Sequence, residues 1–118
     1  MACRRGVAIM DMSSFTKFEL KSAGREVVDF LQNICSNDID CPIGHVVHTG
    51  MQNHKGGYEN DCSVVQLEPN NFMIISPVTQ QTRNMKWLSE HFPEDGSVLM
   101  SDITSLYAAI NVVGPKVF

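Results

Sequence analysis

The densest run of reactive side chains is Asn53-His54-Lys55-Gly56-Gly57-Tyr58-Glu59-Asn60-Asp61, which leads into the apolar stretch Cys62 to Leu67. A carboxylate at the mouth of a buried strand, as Asp61 would be, can hydrogen-bond a ligand nitrogen or steer a proton. The same carboxylate can instead cap a backbone amide in a solvated hairpin. Paired glycines also occur in phosphate loops, but neither GxGxxG nor GxxxxGK is present, so nucleotide binding has no support. His45, His48, His54 and His91 raise the question of a metal. His45 and His48 are an odd number apart and face opposite sides of an extended strand, which makes joint ligation awkward. No metal site is therefore expected.

Cys62 and His48 could meet across a hairpin as a nucleophile and its base. No helix N-terminus or cationic cluster adjoins Cys62 in sequence to lower its pKa, so a core thiol is the better reading. The four cysteines, Cys3, Cys35, Cys41 and Cys62, include no CxxC pair, and reduced thiols are expected. Met10, Met12, Met51, Met73, Met85 and Met100 are spread through apolar segments and read as packing.

These groups need elements to position them. Val7 to Met12 and Thr16 to Leu20 read as short strands. In the second, Phe18 and Leu20 face one way while Lys17, Glu19 and Lys21 face the other. After Gly24, the apolar residues Val27, Val28, Leu31, Ile34 and Cys35 recur at helical steps, with Arg25, Glu26, Asp29 and Gln32 opposite. Ser22 is the expected N-cap. Val46 to Gln52 and Tyr58 to Leu67 form two arms of a hairpin, whose glycines supply the positive φ its loop demands. Phe72 to Ile75 is a very apolar strand. A second helix is expected over about Thr79 to His91, with Met85, Leu88 and Phe92 on one side and Trp87 anchoring it to the sheet. Val98 to Met100 and Tyr107 to Val113 close the layout, the last predicted to be buried on both faces. The fold class is α+β, a mainly antiparallel sheet with two helices. Gly114-Pro115-Lys116-Val117-Phe118 follows that strand directly, so residues 1–118 are expected to be part of a larger domain.

The totals agree with a globular chain: 118 residues, 43% hydrophobic and 19% charged. A net charge of −4 with scattered basic residues argues against nucleic acid as a partner. No apolar run approaches the ~20 residues of a membrane span.

Taken in order, Gly6-Val7-Ala8-Ile9-Met10-Asp11-Met12-Ser13, Gly24, Phe30-Leu31, Ser36-Asn37-Asp38, Gly56-Gly57 with Asp61, Trp87-Leu88 and Gly114-Pro115 resemble the N-terminal part of the glycine cleavage T-protein (aminomethyltransferase) family. The resemblance runs from about Gly6 to Lys116. That family includes the folate-linked halves of dimethylglycine and sarcosine dehydrogenases and a branch that regulates the phosphatase of the pyruvate dehydrogenase complex. The run Gly56 to Cys62 is closest to the regulatory branch. The resemblance implies a folate-type fold and, for that branch, a catalytic phosphatase subunit as partner, altered magnesium sensitivity and the mitochondrial matrix as location. In catalytic members it implies tetrahydrofolate as cofactor, with Asp61 near its reactive nitrogens and His48 and Tyr58 beside it. The resemblance also implies that FAD, where the family uses it, belongs to a domain upstream of this one. T-proteins generally carry tyrosine where this chain has His48, and asparagine where it has Pro77. Pro77 offers no amide to a pterin, and a site missing such a donor leaves ligand polar groups unpaired. The implied reading is a non-catalytic regulatory domain; a one-carbon transfer domain is the alternative.

Overall fold

The computed structural model describes residues 2–77, 81–93 and 95–117. Their order is α1 (Ala2–Arg5), β1 (Ala8–Asp11), β2 (Thr16–Lys21), α2 (Glu26–Ile34), β3 (Val46–Gln52), β4 (Tyr58–Glu68), β5 (Asn71–Ser76), α3 (Gln81–His91), β6 (Leu99–Asp102), a 3-10 turn (Thr104–Leu106) and β7 (Ile110–Val113). Five strands form one sheet in the order β3-β4-β5-β2-β6, and β1 pairs with β7 in a separate ribbon. Every strand pair is antiparallel. The α+β layout predicted from the pattern is the one observed.

One face of the large sheet carries the core. Phe18, Leu20, Met51, Cys62, Val64, Phe72 and Ile74 are buried with Val27, Val28, Phe30, Leu31 and Ile34 of α2 and Leu88 and Trp87 of α3. Burying a side chain of this size stabilises the fold by roughly 1.5–3 kcal/mol, so this layer dominates stability. Phe30 and Phe92 meet edge to face at 5.0 Å, joining α2 to the segment after α3. Ser22 lies before the helix boundary, yet its hydroxyl accepts from the Val27 amide at 3.0 Å and donates to the Gly24 carbonyl. It therefore satisfies one of the helix's free N–H groups from outside the N-cap position, which Arg25 occupies.

Three expectations need correction. Lys17 is buried, 2% exposed, although alternation puts it on the face away from Phe18. The loop after β1 and the 3-10 turn cover that side, and the ammonium donates to the carbonyls of Ser13 (2.8 Å), Phe15 (3.0 Å) and Thr104 (3.3 Å). The final strand is short and exposed rather than buried on both faces. Ile110 is 64% and Val112 46% exposed; among the described residues the strand pairs with β1 in a two-stranded ribbon apart from the large sheet. The short α1 and the 3-10 turn were not expected, and α3 begins at Gln81; the expected start at Thr79 lies outside the described residues.

Replacing Lys17 by Met keeps the apolar stem and strands three carbonyls in a dry site. The variant should lose about 3 kcal/mol of stability, in line with charge-assisted hydrogen bonds at ~1.5–3 kcal/mol each and incomplete additivity. A urea titration read by fluorescence or circular dichroism checks this; an unchanged midpoint would show that the ammonium contributes nothing net.

Candidate functional site

The hairpin of β3 and β4 places the predicted site residues. Asn53 folds its loop: the side-chain oxygen accepts from the Lys55 and Gly57 amides at 2.9 and 3.0 Å. Gly56 sits at φ 85°, the left-handed region the turn requires. Along β4 the side chains then alternate, with Asn60, Cys62 and Val64 buried and Asp61 exposed. Gly50 is the partner of Asp61, and Ser63 the partner of His48. His48 and Asp61 are thus diagonal neighbours on one face, within reach of each other. Their side chains meet, His48 Nε2 to Asp61 Oδ1, at 2.7 Å. The Tyr58 ring lies over Gly50, where any Cβ would collide with it.

A shallow pocket of 240 Å³ opens beside this pair, lined by His48, Asp61, Ser63, Ser76, Cys62, Phe15, Ile75 and Pro77. The structure therefore brings His48 and Asp61 together in one pocket with Pro77, and leaves Tyr58 on the hairpin outside that lining. Ser63, Ser76 and Phe15 were missed from sequence. Ser63 had a signal, since it stands two residues from Asp61 and so shares its face. A hydrogen bond from Asn53 holds Glu59 below the usual carboxylate range, helped by Arg83. Arg83 reaches the Glu59 carboxylate at 3.2 Å and the Tyr58 carbonyl at 3.4 Å, fastening α3 to the hairpin.

The other candidates separate. His45 and His54 are exposed in loops either side of β3, and His91 ends α3, bonded to the Trp87 carbonyl at 2.8 Å. Among the described residues, no group of three or more His, Cys, Asp or Glu side chains is placed to hold a metal ion. A larger hollow of 510 Å³ is lined by Glu26, Asp29, Phe30, Asn33, His91, Pro93, Asp95 and Ser97. Several of its polar groups are already engaged: Glu26 with the Gly24 amide, Asp95 with the Ser97 amide and His91 with Trp87. The His48–Asp61 pocket is the candidate pursued because it gathers the residues that the sequence singled out. Cys62 is buried, 3% exposed. Burial pushes both its thiol and that of Cys35 up to about 12, so neither supplies thiolate near neutral pH.

Residues 1–117 match the family described as the GCVT N-terminal domain. The chain belongs to that family. Its resemblances within and around the family are graded. It is 48% identical over 97% of its length to the mitochondrial pyruvate dehydrogenase phosphatase regulatory subunit of Mus musculus, of which it covers 13%. It is 30% identical to the formaldehyde-forming 4-methylaminobutanoate oxidase of Paenarthrobacter nicotinovorans, covering 98% of the chain and 14% of the oxidase. It is 31% identical to the aminomethyltransferase of Chloroherpeton thalassium, covering 98% of the chain and 31% of the enzyme. In structure it is similar to aminomethyltransferase T of the glycine cleavage system from Bartonella henselae, at a TM-score of 0.84 and 16% identity over 98% of the chain and 31% of the enzyme. That likeness shows the fold of the GCVT domain and nothing finer. The chain spans less than a third of the length of each of these relatives.

The pocket formed by these residues, at 240 Å³, is smaller than the ~300–1,000 Å³ of ordinary ligand sites. The Asp61 carboxylate is already engaged by His48, and Pro77 lines the wall without an N–H to donate.

The thiols give a direct check. At pH 8 a disulfide reagent should modify Cys3 quickly and Cys41 more slowly, with Cys35 and Cys62 reacting only after denaturation. Because folding raises both buried pKa values, the stability they contribute is whole below the unfolded value of about 8.5–9 and declines as pH rises toward about 12. Four equally fast thiols in the native chain would overturn this burial.

Proposed function

We propose that this GCVT domain is a regulatory, non-catalytic module of the pyruvate dehydrogenase phosphatase. It acts with the phosphatase's catalytic subunit in the mitochondrial matrix, modulating dephosphorylation of the pyruvate dehydrogenase complex and its dependence on magnesium. The observation that carries the reading is 48% identity to a mitochondrial regulatory subunit of this phosphatase, held together with the state of the pocket. An imidazole nitrogen already meets one oxygen of Asp61, and Pro77, which has no N–H to donate, lines the same pocket. A scaffold kept for its surface has no need of a ligand's partners there.

A second reading, a tetrahydrofolate-binding one-carbon transfer domain, draws on the exposed Asp61 carboxylate and the 31% identity to an aminomethyltransferase. For that function, a ligand nitrogen would share the Asp61 carboxylate with His48 or displace it.

The regulatory reading is tested by adding the protein to the phosphatase catalytic subunit and following dephosphorylation across a magnesium titration. The half-saturating magnesium concentration should move by about fivefold, the low end of common allosteric couplings. Superimposable curves with saturating protein would remove the proposal.

A further inference from the structure

Four buried polar side chains stand out beside the pocket already described, three on adjacent strands of the sheet and one on α3. Thr16 and Ser76 are direct partners across β2 and β5, and Asn60 of β4 donates weakly to the Ser76 hydroxyl at 3.4 Å and to the Met51 sulfur at 3.8 Å. Asn84 lies on the face of α3 that buries Trp87 and Leu88, three and four residues further on. Arg83, the residue before it, fixes that part of α3 against the start of β4. Thr16 and Asn84 are 0% exposed, and Asn60 and Ser76 are 1% exposed. Yet, among the described residues, Thr16 Oγ1, Asn60 Oδ1 and both amide atoms of Asn84 have no protein partner.

Folded proteins rarely tolerate such a concentration of unpaired buried groups, because each has surrendered its bonds to water. A fully buried carboxamide with both ends free is the least tolerable of these. Polar holes of this kind are filled by internal water, each molecule making about three hydrogen bonds, whereas empty cavities are lined by apolar groups. We propose that Thr16, Asn60, Ser76 and Asn84 form a water-binding site between the sheet and α3, holding about one or two molecules on the basis of their unpaired atoms. Ser76 also lines the His48–Asp61 pocket, so the bound water forms the hidden floor of that pocket. The water then completes the attachment of α3, and Asn84 is its main anchor.

A crystal structure at a resolution that orders solvent, paired with thermal unfolding of Asn84→Leu, tests this. The expected result is a solvent peak within hydrogen-bonding distance of Asn84 and of Asn60 Oδ1 or Thr16 Oγ1, together with a lower unfolding midpoint for Asn84→Leu. The leucine would remove the water's anchor and orphan the remaining groups. A dry site, with the amides bonded directly to protein atoms, would overturn the proposal. So would a raised midpoint in the variant, because leucine improves on an amide only if that amide had no partner to lose. If Asn84→Leu fails to fold, the solvent peak in the unaltered protein still decides the matter.

Discussion

The ammonium of Lys17 is the contact on which the arrangement around the pocket depends. It is buried, and it spends its three donors on the carbonyls of Ser13, Phe15 and Thr104. The backbone of the same residue takes part too: its amide donates to Thr104 Oγ1 and its carbonyl accepts from Ile103. One side chain therefore ties together the loop leaving β1, the strand β2 and the turn leading to β7. The consequences reach the site, since holding the Phe15 carbonyl places the Phe15 side chain at the pocket wall. They reach the ribbon as well, where Ser13 Oγ accepts from the Ala109 amide and Met12 donates to the Ala109 carbonyl. Asp11, nearby, is held below its usual carboxylate range first by Ser13 and least by the charge of Lys17.

Alternation along β4 then separates two kinds of chemistry by a single residue. Asn60 turns into the core and Asp61 turns out, so the carboxylate that could serve a ligand stands against His48 while its neighbour enters the buried polar end. The absence of a side chain at Gly50, across from Asp61, makes room for the Tyr58 ring. A fold shared with aminomethyltransferases thus presents an acidic position already satisfied from within the chain.

Much of this was legible in the sequence. The spacing of Val27, Val28, Leu31 and Ile34 marks α2 because burial of one helical face leaves that trace directly. The hairpin was legible through Gly56-Gly57, although Asn53 does most of the work of closing the loop. Lys17 was misread because alternation assigns a lysine to solvent, and nothing local reports that a segment 87 residues away, at Thr104, covers it. The strand near Ile110 was misread for the opposite reason. Its residues are as apolar as a core strand, but it joins a two-stranded ribbon rather than the main sheet, and pairing of that kind is a tertiary fact. At the site, Asp61, His48 and Tyr58 could be named one by one. The contact between the first two depends on register, which a one-residue slip would abolish.

The most direct test of the central claim, that the Asp61 pocket no longer serves a folate, is calorimetric titration of tetrahydrofolate into the protein beside an Asp61→Ala variant. The account predicts no saturable heat from either, with both shown to be folded. Saturable binding by the unaltered protein that disappears in Asp61→Ala would contradict it and establish the carboxylate as a working ligand group.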